Sequence, residues 1–361
     1  MENLAARFGV VGASEVRDRL RLLQQGFVAR GNEAALFFPD DPTSASAFGF
    51  RPTPMTSPAI VAQALWASYE HLGFSSDDAL LILGGNEIVP FAELPNPAAG
   101  GTDVDRTVQT DNPYGFSQDR SAQAFRIDAI PEYPVARLPD SSPPDLQAFL
   151  ALIDSFTSPP AYRNGTFAVV NRAWFDASAK VLGNPTTIQT TPPWSCANPE
   201  WKTQQARLLY FNLHGFLDQP DWRGFDDWSG NWVGAVSPID IVREAVDGAI
   251  VFAENCYGGR VTGRSAQDSI AISMLSAGAQ VFVGATGIAY GSFSQQPEVP
   301  IDADVLGKSF LQHLQSGESA GHSLLRARQT VFNTATSPAW LADQQKTALE
   351  FVMYGNPFAR L

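Results

Sequence analysis

The 361-residue sequence is short of several things, and each shortage removes a class of function. Two cysteines, Cys196 and Cys256, are too few for a disulfide framework. The four histidines, His71, His214, His313 and His322, are dispersed, so no spacing matches a common zinc motif. Positive charge is scarce. The 24 Lys and Arg face 37 Asp and Glu, a net charge of −13 with no basic block, which argues against a nucleic-acid partner. No apolar run approaches the ~20 residues that cross a bilayer, so no membrane partner is expected. The opening MENLAARFGVVGASEVRDRL has no basic segment followed by an apolar core. The expectation is a chain without a signal peptide: cytoplasmic, or secreted if it is the processed catalytic domain of a longer precursor.

What is present is an ordered, acidic composition, 44% hydrophobic with 17% charged residues, which rules out a disordered chain. The length suits one large domain or two medium ones. Short apolar runs at residues 80–83, 167–170, 208–213, 249–253 and 280–284 read as buried parallel strands. Helix-period segments lie near 14–26, 59–72, 144–156, 238–247, 266–277, 303–315, 320–333 and 342–353. That alternation predicts an α/β fold with a mostly parallel, doubly wound sheet. Residues 95–137, rich in Asn, Asp, Gly and Pro, have no clear period and read as a long irregular excursion. The Pro/Ser-rich stretch at 158–165 is the best boundary, dividing the chain into 1–160 and 161–361.

Two strand ends carry chemistry. LLYFNLHG places His214 after an apolar run and before Gly215, and AIVFAENCYGG places Cys256 at the corresponding point of a later run. In open parallel sheets the functional crevice lies beyond the carboxyl ends of the strands. An imidazole there can take the proton of a thiol, and glycine lets the backbone approach a carbonyl closely. The amides of Gly215 and Cys256 are then candidates for an oxyanion hole. Either residue alone has a bland reading, as a small core thiol or a turn histidine; the paired pattern favours chemistry.

Other motifs are decoys. GESAG around Ser319 matches a nucleophile elbow, but a helix precedes it and the next histidine is only three residues on, so Ser319 reads as an N-cap. Cys196 sits in a Pro-rich loop as an incidental thiol. Asp103, Asp105, Asp111, Asp119 and Asp128 lack a calcium-loop spacing and read as solvated loop acids, leaving structural Ca²⁺ without a motif.

The order of apolar-run–His–Gly and apolar-run–x–x–Cys resembles the caspase-like cysteine peptidases of clan CD, and within them the gingipain-type family. ALLILGGNEIVP, TDNPYG, IPEYPVARLPDSSPPDLQAFLALID, SMLSAGAQVFVGATGIAYG and the ending FVMYGNPFARL follow that family's order over roughly residues 75–361, with Asn356 at a usual Asp. The resemblance implies a caspase-like three-layer sandwich of two side-by-side subdomains, the second bearing the dyad. It implies Cys256 as nucleophile, His214 as base, and peptide-bond hydrolysis with no cofactor required. An acid that orients the histidine is also implied; no motif marks it, and Asp176 and Glu200 are the acids considered. Glu254, two residues before Cys256, is the candidate for a basic P1 side chain, with Asn at P1 second; its bland role is a bridge to Arg260. Trp228, Trp232 and residues 286–290, including Thr286 and Gly287, resemble pocket walls. Asn255 stands where the family often has a small residue. The rival from another class is a silent or signalling caspase-like module of the CHAT type, and a fold alone does not decide between them.

Overall fold

The computed structural model describes residues 1–101, 103–157, 159–183, 187–292, 301–334 and 338–361. Its strands are β1 (Leu80–Leu83), β2 (Ala92–Pro95), β3 (Thr107–Thr110), β4 (Val135–Leu138), β5 (Thr166–Asn171), β6 (Ile188–Thr191), β7 (Leu208–Asn212), β8 (Trp222–Asp226), β9 (Asn231–Val236), β10 (Ile250–Ala253), β11 (Val281–Ala285) and β12 (Phe351–Gly355). The helices are α1 (Glu2–Ala29), α2 (Pro42–Ala47), α3 (Pro58–Leu72), α4 (Leu146–Ser155), α5 (Phe175–Leu182), α6 (Pro199–Thr203), α7 (Arg243–Val246), α8 (Ile270–Ser276), α9 (Asp302–Gln315), α10 (Ala320–Asn333) and α11 (Pro338–Glu350).

Eight strands form one sheet in the order β1-β4-β12-β11-β10-β7-β5-β6. Six of its seven pairings are parallel; only β11 and β12 run antiparallel. The sheet therefore has two parallel blocks of opposite direction. The carboxyl ends of β5, β7, β10 and β11 share an edge with the start of β12. The β2–β3 and β8–β9 hairpins stand apart.

Helices cover both faces, completing the expected α/β sandwich. Along α1, Leu4, Val16, Leu20, Leu23 and Phe27 recur at helical spacing and bury against α4 and one face of the sheet. Phe310 and Leu314 of α9 and Leu324 and Val331 of α10 pack on Tyr210, Phe252 and Val283 of the other. Helix starts are set by local chemistry. Ser57 and Asp145 accept from the backbone at the starts of α3 and α4, and Gly73 ends α3 with a left-handed φ of 64°.

Several expectations needed adjustment. The helix expected from residue 14 begins at Glu2 and continues past a break at Gly9, where φ is 74°. The helix expected over 342–353 stops at Glu350, because Phe351–Gly355 is wholly buried and pairs on both sides as β12. The 95–137 excursion contains β3, 3₁₀ turns and the start of β4. The boundary stretch at 158–165 falls between α4 and β5, with residue 158 outside the described residues. No described helix is long and apolar enough to cross a membrane.

Candidate active site

Strands β7 and β10 are neighbours, paired in parallel with Phe211 opposite Ala253. His214 and Cys256 each lie three residues beyond that pair, so the register brings the two strand ends level. Glu254 N–H donates to Phe211 O at 2.8 Å and continues the pairing past the strand. Gly215 lies flat against the Cys256 loop: a Cβ there would collide with the Cys256 carbonyl. Only glycine permits this approach. No hydrogen bond to another residue leaves the amide N–H of Gly215 or of Cys256 among the described residues.

The His214 backbone is fixed by two 2.9 Å hydrogen bonds with Arg223, at the mouth of the β8–β9 hairpin. Its imidazole lies between two indoles, 4.3 Å from Trp174 and edge-on at 4.7 Å from Trp232. This apolar setting pushes its pKa down to about 4, opposed by the charge of Asp227. No hydrogen bond reaches the ring among the described residues. The Cys256 thiol contacts Ala289 O at 3.6 Å. Burial pushes it up to about 11, with the Ala289 contact acting the other way. The site therefore rests as neutral thiol and neutral imidazole near pH 7.

The Cys256 loop is clamped from the far side. Tyr257 has a left-handed φ of 55°, its N–H donates to Gly287 O at 2.7 Å, and its hydroxyl donates to Asp105. A side chain on Gly287 would press on Glu350 and Asp105, so this position serves close packing. Thr286 is buried and donates its hydroxyl to Gln109 O at 2.8 Å, tying β11 to the excursion. Trp232 is partly exposed and packs on Phe216 and Phe225, whereas Trp228 is 91% exposed.

Glu254 turns under α9, where a side chain on Gly307 would strike its carboxyl. Burial and neighbouring Asp304 raise its pKa well above the carboxylate range. Tyr210 and Asp304 are its polar neighbours, yet neither Glu254 oxygen nor Asp304 Oδ1 has a hydrogen bond of ordinary geometry. Gly291, two residues beyond the carbonyl that contacts the thiol, packs on Asp304. Glu254 forms no ion pair with Arg260.

Sequence reasoning missed Trp174 and Asp227, which lack any motif. Asp176 and Glu200 are exposed and make no hydrogen bond to His214. Asn255 is fully buried with both amide atoms unpartnered. Cys196 is buried, its thiol pushed far up, and Ser319 caps α10 as expected. The excursion acids go to separate partners: Asp103 to Lys346 and Tyr290, Asp111 to Arg137, and Asp128 to Arg126. No group of three or more His, Cys, Asp or Glu among the described residues is arranged to hold a metal ion.

The fold is shared with a solved protease structure, at 12% identity and a TM-score of 0.50, over 84% of this chain and 69% of that one. Two structures of the Saccharomyces cerevisiae separase–securin complex are also similar, each at 12% identity and a TM-score of 0.39, over 64% of this chain and 14% of the matched chain. No family profile matches the sequence, and no curated protein matches it. At this identity the protease likeness establishes a common architecture.

Proposed function

We propose that the chain is a cysteine endopeptidase resembling the gingipain type, with Cys256 and His214 as its dyad. The observation that carries this is the level placement of the two residues beyond β7 and β10, with the amides of Gly215 and Cys256 beside them. Cys256 Sγ attacks the scissile carbonyl carbon as its proton passes to the imidazole. The two amides receive the developing oxyanion. His214 returns the proton to the amine as the C–N bond breaks, then takes one from water as the thioester is hydrolysed and passes it to the departing Cys256 sulfur, releasing the acid. Because both groups rest neutral, proton transfer accompanies attack and does not precede it. The substrate is a protein or peptide.

A basic P1 residue is the first choice. Unpartnered oxygens on Glu254 and Asp304 lie one segment from the thiol, and an ammonium or guanidinium would supply the missing positive charge. Trp232 would flank the reacting end of the substrate. Asn at P1 ranks second, since a protonated Glu254 can hydrogen-bond an amide. A catalytically silent interaction module is the other reading, favoured by a thiol that bonds to Ala289 O and an imidazole with no hydrogen bond.

The test is a fluorogenic peptide panel with Arg, Lys, Asn, Asp or Leu at P1, assayed with wild type, Cys256→Ala and His214→Ala. Cleavage after Arg or Lys that disappears in both variants is expected. A folded wild type that cleaves none of them supports the silent module.

A further inference from the structure

Most arginines in the described residues have a hydrogen bond, an ion pair or both. Arg51, Arg106 and Arg260 have neither, and the first two are exposed. Arg260 is half-buried, with its Nε closed off from solvent and without a hydrogen-bond partner. It stands four residues past Cys256 and lines a small cleft with Cys256, Gly258, Trp222 and Phe216. The cleft has space of about 20 Å³, room for one water-sized group.

The other charges in that cleft are committed. Arg264 donates to Leu217 O, and Asp268 accepts from Ser265 N–H and Oγ while facing Arg264 at 3.9 Å. The cleft thus keeps one uncompensated positive charge. A buried donor left without a partner is costly and uncommon, so its place beside the thiol calls for an incoming acceptor. The planar guanidinium is matched best by a carboxylate.

The position also sets a direction. The cleft is walled by the segments after His214 and after Cys256, and by no residue of the 286–292 segment that contacts the thiol. Glu254 and Asp304 lie toward that segment. We propose that Arg260 forms a subsite for an acidic side chain of the substrate, Asp or Glu, on the leaving side of the scissile bond. This rests on the peptidase reading and adds to it a second specificity element opposite in charge to the first.

The experiment holds the preferred P1 fixed and places Asp, Asn or Lys at each of the first two leaving-side positions. kcat/KM is measured for wild type, Arg260→Gln, Arg260→Lys and Arg260→Glu. Wild type is expected to favour Asp over Asn by about tenfold at one position. That ratio should fall to about one in Arg260→Gln, persist in part in Arg260→Lys, and turn toward Lys in Arg260→Glu. Equal rates for Asp and Asn in wild type, or a preference that survives Arg260→Gln, would overturn the subsite alone. A wild type that cleaves no peptide overturns the peptidase reading and the subsite with it.

Discussion

Two buried polar regions of this molecule treat their charges in opposite ways. On the β1–β4–β12 flank, Arg137 is wholly buried yet fully engaged: it pairs with Asp111 at 2.6 and 3.0 Å, donates to Gly84 O and Val89 O, and lies 4.0 Å over the Phe91 ring. Lys346, also wholly buried, meets Asp103, Glu350 and Ile288 O. At the ends of β7 and β10, by contrast, the His214 ring, the Glu254 carboxyl, the Arg260 guanidinium and two backbone amides have no hydrogen-bond partner in another of the described residues. Asp103 and Asp111, which hold the excursion to the sheet, are satisfied within the chain; the groups at the strand ends are left for something from outside.

The largest effects that test this contrast belong to the proposed dyad. Cys256→Ala should abolish turnover, and His214→Ala should lower kcat by about 10²–10⁴-fold with little change in melting temperature. Equal loss of stability in both would make the strand ends structural. Next, Arg137→Met should cost about 3–5 kcal/mol in urea unfolding by stranding Asp111, and adding Asp111→Asn should recover part of it. A fully stable Arg137→Met would erase the distinction between the two regions. Gly215→Ala should cost about 1–3 kcal/mol and reduce turnover, because its methyl group displaces the Cys256 carbonyl.

The thiol gives a pH test. With Cys256 pushed up to about 11, its thiolate is scarce at pH 7 and grows about tenfold per pH unit. Iodoacetamide alkylation should follow that slope between pH 7 and 10; a rate already maximal at pH 6 would indicate a preformed thiolate–imidazolium pair. Burial of His214 has the matching consequence for folding. Its depressed pKa contributes stability that is present above the ordinary histidine range and is lost as pH falls toward about 4. His214→Gln should flatten that limb of the stability curve. Smallest of all, Trp228→Ala should change stability by less than about 0.5 kcal/mol, since the indole is 91% exposed.

What could be read from the sequence follows from the same contrast. The central strands β5, β7, β10 and β11 are continuous apolar runs, and His214 and Cys256 stand out because they end such runs next to glycine. β4 was hidden because Arg137 interrupts it, and Asp111 across the excursion, with the carbonyls of Gly84 and Val89, makes that arginine tolerable. β12 was hidden behind the helical period of α11, which runs directly into it. Trp174 and Asp227 were invisible because their relation to His214 exists only after β5 and the β8–β9 hairpin converge on it. The direction of Glu254, under α9 with no ion pair to Arg260, likewise depends on Gly307 and has no local signature.

The most direct test of the central claim is reaction with a peptidyl acyloxymethyl ketone carrying a basic P1 residue, with the modified residue located by peptide mass spectrometry. The account predicts one adduct, on Cys256, absent in Cys256→Ala and much slower in His214→Ala, with the buried Cys196 untouched. No adduct on folded protein, or labelling of Cys256 at the same rate without His214, would contradict it.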